Sequence, residues 1–294
     1  MHPLKHSVLA CLLVCMALTN ASSGESSYEQ HKNIVYAETD GIGLVLDVFV
    51  PKENKNGLAI IDVASGAWHS DRSKIGDHKR AQIFEFMCQR GFVVFAVRPG
   101  SISKFSGKEM LSNLRTGIQW VKAHADEYGV AADNLGLIGA SAGGHLASLV
   151  AVTADDNTRV AAVSVFFPPT DFLNYGSSTN GKGGNPRINK LFPLMAFGAG
   201  DNSEKTDEEL VAALKELSPF YHVSESAPPF LLFHGDADPA VPLEQSQKLQ
   251  EALQEKGVSA QLIIKPGGGH PWPTIHEEVA VMADWFVEQL AKKQ

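Results

Sequence analysis

Nearly unbroken apolar runs at residues 58–63, 92–97, 160–167 and 230–234 carry no polar face, which is the pattern of strands buried on both sides of a sheet. Between them the spacing turns helical. Residues 77–90 place Ile83, Phe84 and Met87 on one face and stop at Gly91. Leu111, Leu114, Ile118, Val121 and Ala125 follow the same period, opened by a capping box at Ser106 and Glu109 and closed at Gly129. A helix entered at Pro242 and stopped at Gly257 precedes a strand at 260–264. A last helix carries Ile275, Val279, Met282, Phe286 and Leu290 behind a second box at Thr274 and Glu277. At the start, β-rich runs flank Asp40-Gly41, the signal of an opening hairpin.

Strands that alternate with helices predict a single α/β domain with a mostly parallel twisted sheet, right-handed crossovers and helices on both faces. The rhythm breaks after the sixth strand. Residues 172–218 begin with a stretch rich in Gly, Asn and Ser and continue into a short helix boxed by Thr206 and Glu209. An insertion of this length at the functional end of a sheet is expected to act as a lid or binding loop.

Composition alters this picture at the N-terminus. Lys5, a short apolar core over residues 7–18 and small residues at Ala21, Ser22 and Ser23 read as an export signal over residues 1–21, too short to span a bilayer. Its removal takes Lys5, Cys11 and Cys15 and moves the formal charge from −8 to −9. Cys88 is then left alone on an apolar helix face, as a small buried hydrophobe. The remaining domain spans residues 22–294. Its charge is spread without a basic patch, which argues against a nucleic-acid partner, and no stable membrane insertion is expected.

The candidate chemistry lies at strand ends. Gly139-Ala140-Ser141-Ala142-Gly143 sits between a strand signal and a helix signal, the G-x-S-x-G of a sharp turn that lifts a serine hydroxyl clear of its neighbours. Ala142, at the helix start, offers an unpaired N–H toward negative charge forming on an attacked carbonyl. Two further strand-end loops hold Asp236 and Asp238 in His234-Gly-Asp-Ala-Asp238-Pro, and His270 after three glycines. Serine, acid and histidine in this order on one sheet edge form a candidate triad of Ser141, Asp238 and His270. No His, Asp or Glu cluster has metal spacing, and His145, His234 and His276 read as loop or helix-start hydrogen-bonders; neither metal nor cofactor is expected.

From about Tyr36 to Leu290 the chain resembles the α/β-hydrolase superfamily, within it the small esterases that include acetyl esterases and feruloyl-esterase-like carbohydrate esterases. The resemblance implies Ser141 as nucleophile, His270 as base and then acid, Asp238 as orienting carboxylate, and a small-molecule or carbohydrate ester as substrate. Where relatives carry His-Gly-Gly-Gly-Trp after the third strand, this chain has Ala64-Ser65-Gly66-Ala67-Trp68. Gly66 and Ala67 are expected to join Ala142 in the oxyanion hole, with Ala67 taking the backbone angles of a glycine. Trp68, Phe167 and Trp272 are candidates to line the substrate pocket. Two other functions fit less well: a prolyl-oligopeptidase-type peptidase, which usually brings a large extra domain, and a non-catalytic hydrolase-fold binding protein.

Overall fold

The computed structural model describes residues 26–176, 178–179, 182–183 and 186–292. The expected export signal lies outside them, and so do Cys11 and Cys15. The hairpin forms as read, from β1 (Tyr28–Thr39) and β2 (Ile42–Pro51), paired across Asp40-Gly41. Then follow β3 (Ala59–Val63), α1 (Arg72–Arg80), α2 (Ile83–Gln89), β4 (Val93–Arg98), α3 (Gly107–Ala123), α4 (Ala125–Tyr128), β5 (Leu135–Ala140), α5 (Ala142–Val152) and β6 (Ala162–Phe166). The insertion contains β7 (Asn174–Tyr175), β8 (Ser178–Thr179), β9 (Lys182–Gly183), α6 (Pro186–Asn189), α7 (Leu191–Phe197) and α8 (Asp207–Glu216). The chain ends on β10 (Phe230–Gly235), α9 (Glu244–Glu255), β11 (Ala260–Lys265) and α10 (Ile275–Ala291).

Eight strands make one sheet in the order β1-β2-β4-β3-β5-β6-β10-β11, parallel from β4 onward. Two cores cover its faces. Ile61, Val63, Leu137 and Val165 pack with Leu114 of α3, Leu146 of α5 and Leu249 of α9. On the opposite face Ile60, Val94, Ile138 and Phe166 pack with Phe84 of α2 and Met282 of α10. Residues two apart on a strand share a face, so Asp62, between Ile60 and Ala64, is buried on the α2 and α10 side.

Three elements differ from the periodic reading. The helix expected over 77–90 is two helices, broken at Gln82, whose φ is +61°. His78 and Ile83 would point roughly 140° apart on one continuous helix, yet both are buried against the same face, so the axis must turn between them. The sequence also hid the start of α1 at the cap Asp71, whose side chain accepts the Ser73 N–H at 2.8 Å. At α10 the expected box does not form: Thr274 has φ −98° and ψ 21°, outside the extended region a capping side chain needs, and Glu277 turns to Lys265 at 3.1 Å instead. The boxes at Ser106 and Thr206 both close. Cys88 is buried.

Candidate active site

The turn from β5 into α5 forces Ser141 to φ 53° and ψ −120°, a strained conformation for any residue but glycine. Crowding explains the flanking glycines. A β-carbon at Gly139 would stand 2.4 Å from the Gly143 carbonyl oxygen, and one at Gly143 would stand 2.3 Å from that of Val63. The backbone holds the turn with bonds from Ser141 N–H to Phe166 O (2.9 Å) and from Gly143 N–H to Ser65 O (3.1 Å).

Two more strand-end loops converge on this turn. His270 Nε2 lies 2.9 Å from Ser141 Oγ, and His270 Nδ1 lies 2.7 Å from Asp238 Oδ2. A carboxylate at Nδ1 keeps the N–H there, which leaves the Nε2 lone pair to accept the serine hydroxyl. Asp238 Oδ1 accepts the N–H groups of Ala240 (2.8 Å) and Val241 (3.0 Å). Burial opposes the Asp238 charge, but the hydrogen bond and positive character of His270 and these two N–H groups outweigh it and hold the carboxyl below its usual range. Asp236 is used elsewhere, accepting the Gly267 N–H at 2.6 Å. His234 stands 3.6 Å from Asp238 but is spent on other partners, donating from Nε2 to Val241 O (2.9 Å) and accepting from Ser246 at Nδ1 (2.7 Å).

The loop after β3 corrects one expectation. Gly66 and His69 close a two-residue antiparallel bridge, each N–H donating to the other's carbonyl at 2.9 Å. The Gly66 N–H is therefore engaged and is not an oxyanion donor. Ala67 and Trp68 form the tip at φ 47° and 57°, the left-handed pair that a tight hairpin turn requires. Such a turn bonds only its outer residues, so the Ala67 N–H is left without a partner among the described residues, as is the first-turn N–H of Ala142. Of the three N–H groups expected to line an oxyanion hole, these two are free to donate. Neither central residue of the turn is Gly or Asn, and the glycine-like angles at Ala67 are the part of it that the sequence announces.

A cavity of about 800 Å³ opens at Ser141 and His270. Trp68, Phe167 and Trp272 all border it, each nearly fully buried. Phe167 lies 4.2 Å from the His270 ring, and Trp272 donates to Glu278 at 2.8 Å. Trp68 also has a holding role: its Nε1 donates to His145 Nδ1 (3.1 Å), whose Nε2 donates to Leu217 O (2.7 Å). Burial pushes the His145 imidazole down to about 4, so it is neutral. Tyr175, Ile188 and Leu191 bring the insertion into the cavity wall. Sequence reasoning missed the opposite wall, where α1 contributes Asp71, Lys74, Asp77, His78 and Arg80. The available signal was Asp62, a charge inside an otherwise apolar strand, whose partner is His78.

The chain is 26% identical over 215 residues to a probable carboxylic ester hydrolase, LipM, of Mycobacterium tuberculosis, covering 70% of this chain and 46% of that protein. It is 24% identical to Esterase LipC of the same organism, covering 83% and 60%. It thus spans about half the length of the curated relatives it matches. Among solved structures, a truncated carbohydrate esterase from gut microbiota superposes with a TM-score of 0.76 at 24% identity, over 91% of this chain and 98% of that one. The propionate-bound esterase Est2 of Thermogutta terrifontis gives 0.67 at 23%, over 90% and 94%. Sheet order and these superpositions give the α/β-hydrolase fold. The model of the BD-FAE family matches residues 46–253, well over half the sequence, and the chain belongs to that family.

Proposed function

We propose that this protein is a serine esterase that cleaves carboxylic esters through an acyl-enzyme on Ser141. The observation that carries the reading is the unbroken chain Ser141 Oγ, His270, Asp238, with links of 2.9 and 2.7 Å. In this reading Ser141 Oγ attacks the ester carbonyl carbon while its proton passes to His270 Nε2. Asp238 holds the tautomer and stabilises the imidazolium, and the N–H groups of Ala67 and Ala142 receive the oxyanion. Collapse breaks the ester bond, His270 returns the proton to the leaving alcohol, and water repeats the sequence to release the acid.

The substrate in this proposal is a short-acyl or feruloyl ester of a carbohydrate. A cavity of about 800 Å³ is far larger than an acetyl group needs. Its aromatic lining by Phe167 and Trp272 suits an apolar or aromatic acyl group, and the charged side chains that α1 adds to the lining suit a polyhydroxylated alcohol. The likeness to a carbohydrate esterase structure supports the same substrate class. The apolar leader over residues 1–21 supports export, with a mature N-terminus near Ser22; mass spectrometry of protein exported by its host would overturn this with an intact Met1.

The test of the function is a panel of aryl esters of rising acyl length, acetylated and feruloylated sugars, and a peptide amide. Turnover of esters, with loss of roughly a million-fold in kcat in Ser141→Ala, is expected. Faster cleavage of the amide would mean a peptidase, and no turnover at all would mean a binding protein.

A further inference from the structure

On the side of the sheet that carries α1, α2 and α10, the cavity is walled by Ile83, Phe166, Trp272 and Val279 and by the buried imidazole of His78, with the charged Lys74, Asp77 and Arg80 of α1 also in the lining. His78 Nδ1 lies 2.7 Å from Oδ2 of Asp62, which is wholly buried on β3. The other carboxylate oxygen of Asp62 is buried with no hydrogen-bond partner among the described residues. Since Nδ1 is committed to Asp62, the polar atom that His78 has left to offer the cavity is Nε2. No described residue bonds it.

This pair is outside the proposed catalytic chain, because Ser141 already has His270 as its base. A buried ion pair that only fills space is commonly no better than apolar side chains of the same volume. Its placement in the wall of a substrate-sized cavity therefore calls for a ligand. Burial opposes charge on His78, but the adjacent Asp62 carboxylate more than compensates and lifts the imidazole above its ordinary range.

We propose that His78, held by Asp62, is a specificity residue that reads a hydroxyl group at the far end of an apolar, ring-sized part of the ester substrate. The apolar walls take the ring. A hydroxyl both donates and accepts, so it matches Nε2 whether or not that nitrogen carries a proton. A substrate with only carbon there leaves Nε2 buried and unpaired, the kind of mismatch by which a polar site rejects an apolar analogue. The inference deepens the esterase reading and rests on it.

The experiment measures kcat/KM for two ester pairs. The acyl arm compares methyl phenylpropanoate with methyl para-hydroxyphenylpropanoate, and the alcohol arm compares phenylethyl acetate with para-hydroxyphenylethyl acetate. In wild type one arm is expected to favour the hydroxylated member by roughly ten- to a hundred-fold. That preference should fall to within about twofold of unity in His78→Phe. The double variant Asp62→Val/His78→Phe should behave the same way, and it removes the stranded carboxylate that could unfold the single variant. Equal rates within both arms of wild type, or a preference that survives in the folded double variant, would overturn the inference. A wild type that cleaves other esters but none of these four would overturn the inference alone, and one that cleaves no ester at all would overturn the esterase reading with it.

Discussion

Asp236 and Asp238 lie two residues apart in one loop, yet their carboxylates have separate partners. Asp238 takes His270 on one oxygen and the N–H groups of Ala240 and Val241 on the other, whereas Asp236 ties its loop to Gly267. Asp238→Asn is accordingly expected to keep the fold and to lower kcat by about ten-thousand-fold, because an amide cannot hold the imidazole in its working tautomer. Asp236→Asn should lower the thermal midpoint with a much smaller loss of kcat. Four measurements decide it, and the reverse pattern would move the acid to Asp236. A second residue-scale case is Ala67, a β-carbon held at φ 47°. Left-handed backbone costs a non-glycine residue about 1–2 kcal/mol, so Ala67→Gly should keep or raise kcat. A large loss with an unchanged fold would show that the methyl group itself has a role.

Capping shows at the element scale how far local sequence reaches. Ser106 has extended backbone and exchanges bonds with Glu109 at the start of α3, while Thr274, in the same sequence pattern, has left the extended region and caps nothing with its side chain. Ser106→Ala should therefore cost about 1 kcal/mol of stability, and Thr274→Ala only a small fraction of that. Chemical denaturation of the two variants compares them directly, and equal costs would contradict the geometry. The reason for the difference is non-local. Glu277, which would complete the second box, pairs with Lys265 at the end of β11, and the His270 loop that feeds α10 is placed by the catalytic turn.

At the scale of the whole molecule, His145 joins the oxyanion loop to the end of the insertion through Trp68 and Leu217. Burial lowers its pKa from 6.5 to about 4. Between those values the unfolded chain binds a proton that the folded chain refuses, so this group's contribution to stability is full above about 6.5 and declines as pH falls toward 4. The total is on the order of 3 kcal/mol. His145→Gln can keep both partners, its oxygen accepting from Trp68 and its nitrogen donating to Leu217, without a titrating ring. Urea midpoints of the two proteins from neutral to acid pH should converge or cross as wild type loses stability faster. Parallel curves would refute the assignment.

What the sequence by itself determined follows from short-range physics. Strand and helix periods, the Asp40-Gly41 hairpin, the boxes at Ser106 and Thr206, and the crowding of Gly139 by Gly143 are all set by neighbours within a few residues. The order of Ser141, Asp238 and His270 was legible too, since a parallel sheet brings strand-end loops to one edge. Tertiary structure decided what depends on distant partners. The Gly66 N–H went to His69, because the bridge that closes the loop after β3 consumes it. The helix read over 77–90 broke at Gln82, because His78 and Ile83 both had to face the sheet. His78 met Asp62, sixteen residues away, because a carboxylate buried on β3 needs a partner, and only the packed fold determines which imidazole lies within 2.7 Å of it.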